Sequence, residues 1–312
     1  MTNDQYPQSK HFLALILSQL MVGINIVGAK YLLSHISIIL ILCTRFMIAT
    51  AFLGCIHWFL NFKKPSPCKA RLRDIDSKTW GIIIAQALCA GVLFNFLLLT
   101  GLHYTDANIA GIITSVLPAI IALLSILFLQ ERANFFTSLC ILFAILGLLA
   151  INIHSFHLSN LHSLVGATIV LIALLPEAMY YVLSKLYHNR LSIFTVALLM
   201  NLINLVVVLI IASFTLHLSH YNLSLSDVLI LIIIGLASAM FYVFWYSGCQ
   251  YINGSTAGLL TAIMPIGTLL LAWIFLGETI NKLQLLGMLL VIASIITNAL
   301  QKKRVLPVSM FS

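Results

Sequence analysis

The chain alternates long apolar runs with short polar turns along almost its whole length. About 20 consecutive apolar residues are enough for an α-helix to cross the hydrocarbon core of a bilayer. The runs are continuous and lack the two-residue alternation of a lipid-facing strand, so they indicate helices. The pattern therefore predicts an all-α membrane protein. Its ten transmembrane helices are expected over residues 11–33, 36–60, 79–102, 107–129, 135–153, 163–187, 192–216, 227–250, 255–276 and 282–300.

The composition agrees with this fold class. Of 312 residues, 62% are hydrophobic and 8% are charged, far fewer charges than a soluble domain displays. A soluble globule and a disordered chain are therefore excluded. The six cysteines lie far apart and form no CxxC pair, so we expect neither a disulfide framework nor a zinc site, and we expect no cofactor.

The positive charges predict how the helices are oriented. If the N-terminus is cytoplasmic, thirteen of the sixteen Lys and Arg residues fall on the cytoplasmic side, and six of them lie in the one long loop, residues 61–78. The positive-inside rule then places both termini in the cytoplasm. The basic residues form no face with interleaved aromatic side chains, which excludes a nucleic-acid partner. We expect a multi-pass protein in the lipid bilayer of a bacterial inner membrane.

An internal repeat divides the chain into two halves. When the chain is shifted by 147 residues, Gly101–Glu131 aligns with Gly248–Glu278, and eleven of the thirty-one positions are identical. Five helices separate equivalent points, so the second half is expected to be inverted relative to the first. The predicted organisation is a tail (1–10), a first repeat of five helices (11–153), an outer linker (154–162), a second repeat (163–300) and a basic tail (301–312).

Both repeats contain the motif AGxxTxxxP. It is formed by Ala110, Gly111, Thr114 and Pro118 in the fourth helix and by Ala257, Gly258, Thr261 and Pro265 in the ninth. Proline has no amide hydrogen, so the threonine carbonyl four residues earlier loses its helical partner near the middle of the membrane. Two interpretations remain open: the prolines act only as kinks in tightly packed helices, or the freed carbonyls and the threonines contact a ligand.

These features together resemble the drug/metabolite transporter superfamily, and specifically its EamA-type members. The resemblance rests on the two sets of five helices, on Gly23–Lys30 followed by Arg45 and Phe46, and on the proline helices that end in Glu131 and Glu278. It implies a central cavity lined by helices one to four and six to nine, with the fifth and tenth outside. It also implies export or uptake of small metabolites, such as amino acids, drugs or nucleotide sugars. The inverted repeat itself predicts alternating access, because exchanging the roles of the halves gives two conformations, each open to one side.

Two charged residues lie inside the expected hydrocarbon slab. At 1.5 Å per residue, Glu177 lies roughly 20 Å and Arg45 roughly 14 Å below the outer surface. A charge there costs at least about 2.5–3.5 kcal/mol, so neither side chain is expected to face lipid. In one interpretation, Arg45 binds a substrate carboxylate and Glu177 binds an ammonium group or a proton. The other makes them a structural ion pair.

Polar and aromatic side chains on the predicted helices add candidates for the same site. Those expected to bind substrate, besides Arg45 and Glu177, are Asn25, Asn95, Thr114, Tyr180, Tyr181, Asn201, Tyr242, Trp245, Tyr246 and Thr261, with Gln19, Gln86 and Asn204 as polar neighbours. Any one of them can equally serve helix packing. Together they suit a zwitterionic or mildly amphipathic metabolite, and we expect export of an amino-acid-like substrate.

A membrane-embedded, metal-dependent enzyme is the alternative from another class. His154, His157 and His162 fall in one outer loop and His217 and His220 in the next, where they would bind zinc if the loops met. The chain has no GxSxG or HExxH motif and no paired carboxylates within the membrane, so we expect no enzyme activity. The sequence leaves a monomer and a homodimer both open.

Overall fold

The computed structural model describes residues 8–63, 76–104, 113–131, 135–152, 161–186, 191–215, 223–277 and 280–305. Every regular element in these ranges is helical. Ten helical units follow one another in the described ranges: α1 (Gln8–Leu32), α2 (Ile38–Lys63), α3 (Ser77–Ala87, a π-helical segment Leu88–Leu93, then Phe94–Tyr104), α4 (Leu117–Leu129), α5 (Phe135–Asn152), α6 (Leu161–Leu186), α7 (Ile193–Thr215), α8 (Leu225–Gly248, then a 3-10 turn Cys249–Tyr251), α9 (Gly254–Leu260 and Ile263–Leu276) and α10 (Lys282–Val305).

All ten predicted helices have a counterpart, and the all-helical class is confirmed for the described residues. Eight of the helices found there are long and apolar enough to cross a membrane. The two others, α4 and α5, are shorter apolar helices. The expected start of the fourth helix, at residue 107, lies outside the described residues. The same holds for most of the tails and of the linker 154–162.

The surface is apolar and the interior contains polar side chains, as expected for a protein surrounded by lipid. Phe214 is 84% exposed and Leu225 is 77% exposed. By contrast, Asn201 and Asn204 are fully buried. In water such a surface would be an extended aggregation site, whereas hydrocarbon solvates it. Together with the helix lengths, this distribution makes the chain a multi-pass membrane protein.

Each packed pair of helices has an equivalent pair, which is obtained when both helices are replaced by the corresponding helices of the other half. α1 packs on α8 and α9, and correspondingly α6 packs on α3 and α4. In the same way α2 packs on α8, and α7 packs on α3. Three further pairs, α2–α7, α4–α9 and α5–α10, join corresponding helices of the two halves. Each half therefore buries its helices chiefly against the other half.

The fifth and tenth helices stand apart from this arrangement. α5 and α10 make most of their contacts with each other and are joined to the rest through α4 and α9. Asn298 of α10 donates to the Thr137 hydroxyl of α5 at 3.2 Å. Gly147 lets the two helices approach, since a Cβ there would lie 2.7 Å from the Gly287 carbonyl oxygen. The interior of the bundle is therefore formed by the eight other helices.

α4 and α9 both interrupt their helical hydrogen bonding one turn before a proline, Pro118 and Pro265 respectively. In α9 the Met264 amide donates to the Thr261 carbonyl at 3.0 Å, which is the third and not the fourth preceding residue. In α4 the Val116 amide likewise bonds to the third preceding carbonyl, at 3.1 Å. The Thr261 carbonyl, which Pro265 deprives of its usual partner, thus finds another within the helix.

Both proline helices end in the same left-handed turn. Gln130 has φ 52° and Gly277 has φ 69°, and each amide donates to the carbonyl five residues earlier. Gly277 follows Gln130 by 147 residues, the same shift that aligns the repeats in sequence. A left-handed cap satisfies carbonyls at a helix end and turns the chain away. At the end of α4 this turn presents Glu131.

α3 contains a π-helical segment, Leu88–Leu93, that makes room for α7. The Asn95 side-chain amide donates to the carbonyls of Ala90 at 3.2 Å and Gly91 at 2.6 Å, which the wider turn leaves available. A Cβ at Gly91 would lie 2.0 Å from the Asn204 amide oxygen of α7. Gly91 is therefore required by the close approach of the Asn204 side chain.

Candidate functional site

Side chains from α2, α6 and α8 meet in the interior of the bundle. We call this group the central cluster, and its members are Arg45, Glu177, Tyr180, Tyr181, Tyr242 and Trp245. The Tyr180 ring centroid lies 5.1 Å from that of Tyr181 and 6.0 Å from that of Tyr242, and Tyr181 lies 4.5 Å from Trp245. These are the separations of edge-to-face and tilted aromatic pairs, so the rings form a packed wall.

Hydrogen bonds at the ends of α6 and α8 fix this wall in position. The Trp245 indole donates to the Ser184 hydroxyl at 2.8 Å, and Ser184 in turn donates to the Tyr181 carbonyl at 2.7 Å. On α3, Gln86 donates to the Leu183 carbonyl at 3.2 Å and accepts from the Tyr246 hydroxyl. These hydrogen bonds link α3, α6 and α8.

Glu177 is a buried carboxylate with few partners. It is 5% exposed, and the groups within its electrostatic reach are Tyr181, Tyr242 and Cys89. Tyr181 follows Glu177 by four residues, so the two share a face of α6. No salt bridge involves Glu177 among the described residues.

Asp227, at the start of α8, shows how a buried carboxylate is usually satisfied. It is 3% exposed and accepts from the Ser224 amide and hydroxyl, each at 2.8 Å. It also lies 3.0 Å from the His35 ring nitrogen Nε2. Its contacts form a capping box that begins the helix. Within the described part of the chain Glu177 has no comparable set of partners, and for a buried carboxylate that is unusual.

Arg45 has no counter-ion among the described residues. Its guanidinium lies 4.7 Å from the ring centroid of its neighbour Phe46, and its charge acts on the Tyr242 hydroxyl. Nε is shielded from solvent and has no hydrogen-bond partner in the described ranges. Arg45 and Glu177 form no ion pair with each other in the structure. Both act on Tyr242, which therefore lies within reach of the two opposite charges.

Several buried neutral polar atoms on α1, α6 and α7 also lack a partner among the described residues. The atoms concerned are Gln19 Oε1, Asn201 Oδ1, Asn204 Oδ1 and the hydroxyl oxygens of Tyr180 and Tyr181. Tyr181 lies close to both Gln19 and Glu177 without forming a hydrogen bond of good geometry. Buried polar atoms are normally paired, so these atoms are candidates for contact with a polar ligand.

Four other predicted site residues are engaged by the protein itself. Asn25 donates to the Met21 carbonyl at 2.9 Å and accepts from Ser238 of α8 at 3.0 Å. Asn95 serves the π-helical segment of α3, as described above. Thr261 donates to the Gly258 carbonyl at 2.6 Å. Asn25 and Tyr246 therefore join helices, whereas Asn95 and Thr261 bond within their own helices. Thr114 is partly buried beside the break in α4.

Sequence reasoning did not single out Ser184, Cys89 or Pro176. A pattern of polarity does not distinguish Ser184, because one hydroxyl in a helix is common. In the structure the Ser184 hydroxyl accepts a hydrogen bond from the Trp245 indole. Cys89 was treated only as a thiol without a pair, and its approach to Glu177 depends on how α3 and α6 pack. Pro176 could have been identified from the sequence, since it lies inside α6 and frees a backbone carbonyl one turn before Glu177.

The histidine side chains of the alternative enzyme fall outside the described part of the chain. His154, His157, His217 and His220 lie outside the described residues, and of His162 only the backbone is described, as part of α6. Within the described ranges, no group of three His, Cys, Asp or Glu side chains is arranged to hold a metal ion.

The chain resembles known transporters over nearly its whole length. It is 25% identical over 299 residues to the uncharacterized transporter YetK of Bacillus subtilis (strain 168), covering 94% of this chain and 88% of that protein. An uncharacterized transporter in the trpA 3'region of Buchnera aphidicola subsp. Schlechtendalia chinensis is 26% identical and covers 79% of each chain. One crystal structure shares the fold with a TM-score of 0.77 at 15% identity, covering 96% of this chain and 99% of that chain.

The family assignment follows from two separate matches. The EamA-like transporter family matches residues 9–153 and, a second time, residues 164–300. The matched regions include both proline helices and all members of the central cluster. The resemblance found in the sequence agrees with the two copies of a five-helix unit and with the relatives that are named as transporters. It also agrees with the unpaired charges in the described interior. The chain belongs to the EamA-like transporter family.

Proposed function

We propose that this protein is a secondary active transporter that binds a small zwitterionic, amino-acid-like metabolite at the central cluster. The observation that supports this most strongly is the pair of opposite charges, Arg45 and Glu177, that lie near one tyrosine without forming an ion pair. A buried charge without a partner is costly in an apolar interior. A zwitterion brings a carboxylate and an ammonium group, and it would satisfy both charges at once.

The role of each side chain follows from its chemistry. The Arg45 guanidinium offers paired donors that match a carboxylate. Glu177 accepts from the ammonium group, and the faces of Tyr180 and Trp245 attract the same cation through their π-electrons. Tyr242 lies between the two charges and donates to either end. The unpaired oxygens of Gln19, Asn201 and Asn204 accept from further donors of the substrate.

Alternating access is the mechanism that the packing favours. The contacts between the halves are the same when the halves are exchanged. If the second half is inverted, this exchange converts a state open to one side into a state open to the other. The breaks in α4 and α9 supply matched points at which these helices can bend. Both threonine-proline segments act as hinges in this mechanism.

Orientation and direction complete the proposal. Both termini and the 61–78 loop lie in the cytoplasm of a bacterial cell, the protein resides in the inner membrane, and the substrate is exported. The charge distribution supports the orientation. The Bacillus relative is in keeping with a bacterial membrane.

The proposal is tested by ligand-induced stabilisation of the purified protein. A ligand that binds only the folded state at 100 times its Kd adds about 2.7 kcal/mol to the free energy of unfolding. We expect amino acids to raise the melting temperature more than matched monocarboxylates or monoamines. Arg45→Gln should abolish the rise in melting temperature that depends on the ligand's carboxylate. Glu177→Gln should abolish the rise that depends on the ligand's ammonium group. Lys282→Gln, at an exposed position, is the control. Equal responses of all four proteins to every ligand would contradict the proposed site.

A further inference from the structure

The Asn204 side chain of α7 is fully buried and lies between α3 and α8. Its amide nitrogen Nδ2 donates to the Tyr242 hydroxyl of α8 at 3.4 Å. Its amide oxygen Oδ1 has no hydrogen-bond partner among the described residues. Asn204 therefore connects α7 to Tyr242 by a hydrogen bond in which the hydroxyl oxygen is the acceptor.

The π-helical segment of α3 holds the Asn204 amide group from the other side. A Cβ at Gly91 would lie 2.0 Å from Oδ1 and 2.2 Å from Nδ2, so the whole amide group lies against the bare backbone of Gly91. The Asn95 side chain donates to the Gly91 carbonyl at 2.6 Å and thereby holds this part of the backbone. The close contact prevents the Asn204 amide from moving away from Tyr242 towards α3.

The direction of the hydrogen bond determines what the Tyr242 hydroxyl can do next. A phenol hydroxyl donates one hydrogen bond and can also accept. Because its oxygen accepts from Asn204, its hydrogen is left for another acceptor, and the described part of the chain gives that hydrogen none. Accepting a hydrogen bond also polarises the O–H group and makes it a stronger donor.

Arg45 supplies a second donor near the same hydroxyl. Its charge acts on Tyr242, and its Nε has no hydrogen-bond partner in the described ranges. Glu177 is also within electrostatic reach of Tyr242, but the structure records no hydrogen bond between these two described side chains. Two neighbouring donors, one of them a guanidinium, match the two oxygens of a carboxylate.

From this geometry we infer that Asn204 is a positioning residue for recognition of the substrate carboxylate. By donating to the Tyr242 oxygen, it directs the hydroxyl hydrogen to the carboxylate that Arg45 binds. The inference rests on the proposed function, because it needs a zwitterionic substrate at the central cluster. It deepens that proposal by assigning the Tyr242 hydroxyl to the carboxylate end of the substrate.

The affinities of purified variants for two matched sets of ligands measure this role. L-alanine, L-valine, L-leucine and L-phenylalanine are titrated beside ethylamine, isobutylamine, isopentylamine and phenethylamine, which lack only the carboxylate. Each Kd is obtained from ligand-induced stabilisation. Asn204→Ala should weaken binding of the amino acids about tenfold, the loss expected for one hydrogen bond to a charged group. It should leave the affinities for the amines unchanged.

A double-mutant cycle shows whether Asn204 acts through Tyr242. Tyr242→Phe removes the hydroxyl and should weaken amino-acid binding at least as much as Asn204→Ala does. The double variant should bind amino acids no more weakly than Tyr242→Phe alone, because the hydroxyl through which Asn204 acts is already absent.

Asn298→Ala is the matched control. Asn298 is a buried asparagine of α10 that likewise donates to a hydroxyl, that of Thr137 at 3.2 Å, outside the interior formed by the other helices. The control should leave every affinity unchanged.

Four results would overturn the inference: unchanged amino-acid affinity in Asn204→Ala, an equal loss for the amines, additive losses in the double variant, or an equal loss in Asn298→Ala. Tighter amino-acid binding by Asn204→Ala would overturn it as well, since the Tyr242 hydroxyl would then be donating to the Asn204 oxygen. In each case the proposed function stands if the wild type binds amino acids more tightly than the amines. If the wild type does not, the proposed function fails and the inference fails with it.

Discussion

Glu177→Gln should leave the protein as stable as the wild type. This follows from the absence of an ion pair between Arg45 and Glu177 in the structure. Breaking a buried ion pair leaves one charge uncompensated and costs about 3–5 kcal/mol. Here no such pair exists, and a neutral amide is easier to bury than a carboxylate. The free energy of unfolding should therefore change by less than about 1 kcal/mol, a range typical of substitutions that break no such interaction.

Asp227→Asn is the matched control, because Asp227 is the buried carboxylate that has partners. The substitution weakens the capping box at Ser224 and the contact with His35. Losing a cap costs about 1 kcal/mol, and hydrogen bonds to a charged group contribute about 1.5–3 kcal/mol. Asp227→Asn should thus be destabilised by at least about 1 kcal/mol while Glu177→Gln is not.

The assay is unfolding of both variants in detergent micelles, followed by tryptophan fluorescence. The chain has four tryptophans, and Trp245 lies in the central cluster, so its signal reports loss of the interior packing. A cost of about 3 kcal/mol or more in Glu177→Gln would show that Glu177 compensates a buried cation. That result would refute the reasoning that Arg45 and Glu177 are both left for a substrate.

Three other predictions use different parts of the molecule. Pro118→Ala or Pro265→Ala should straighten its helix and lower the transport rate more than the protein abundance, and equal losses of both would leave only a role in folding. A cysteine at position 71 should be labelled by an impermeant reagent in inside-out vesicles but not in intact cells, because the 61–78 loop is expected in the cytoplasm. Gly91→Ala should lower the melting temperature, since a Cβ 2.0 Å from the Asn204 side chain forces that side chain away from its 3.4 Å bond to Tyr242; an unchanged melting temperature would show that α3 and α7 separate freely.

The helices were predictable because bilayer thickness imposes their length. The apolar run at 227–250 corresponds to Leu225–Gly248, and the run at 36–60 corresponds to Ile38–Lys63. The polar residue that starts α8 also belongs to a recognisable cap, formed by Ser224 and Asp227. Such features depend on neighbours in the sequence, which is why the sequence alone is sufficient to find them.

The interior contacts were less accessible to sequence reasoning. The residues of the central cluster were identified as candidates by their rarity in apolar helices. Whether Arg45 pairs with Glu177 depends on the rotation of α2 and α6 about their axes, which no local pattern determines. The same applies to Asn95, a candidate ligand in the sequence that instead serves the π-helical segment of its own helix. Such segments have no compositional signature.

The hydrogen bonds between Glu131 and the first residues of α9 illustrate a further limit. The sequence repeat drew attention to Glu131 and Glu278 as equivalent positions. It did not indicate that Glu131 would bind backbone amides of Gly254 and Ser255, because amide groups are present at every helix start. Only the packing of α4 on α9 brings this carboxylate to that particular helix start.

The central claim, that Arg45 and Glu177 bind a transported substrate, is tested most directly by solute flux in proteoliposomes. Wild-type protein, Arg45→Gln, Glu177→Gln and Lys282→Gln are reconstituted at equal amounts, and uptake of the radiolabelled amino acid that stabilises the wild type most is measured over a range of pH. The account predicts flux in the wild type and in Lys282→Gln, and loss of flux in the two stable central-cluster variants. Wild-type flux at every pH from a stably folded Glu177→Gln protein would contradict it.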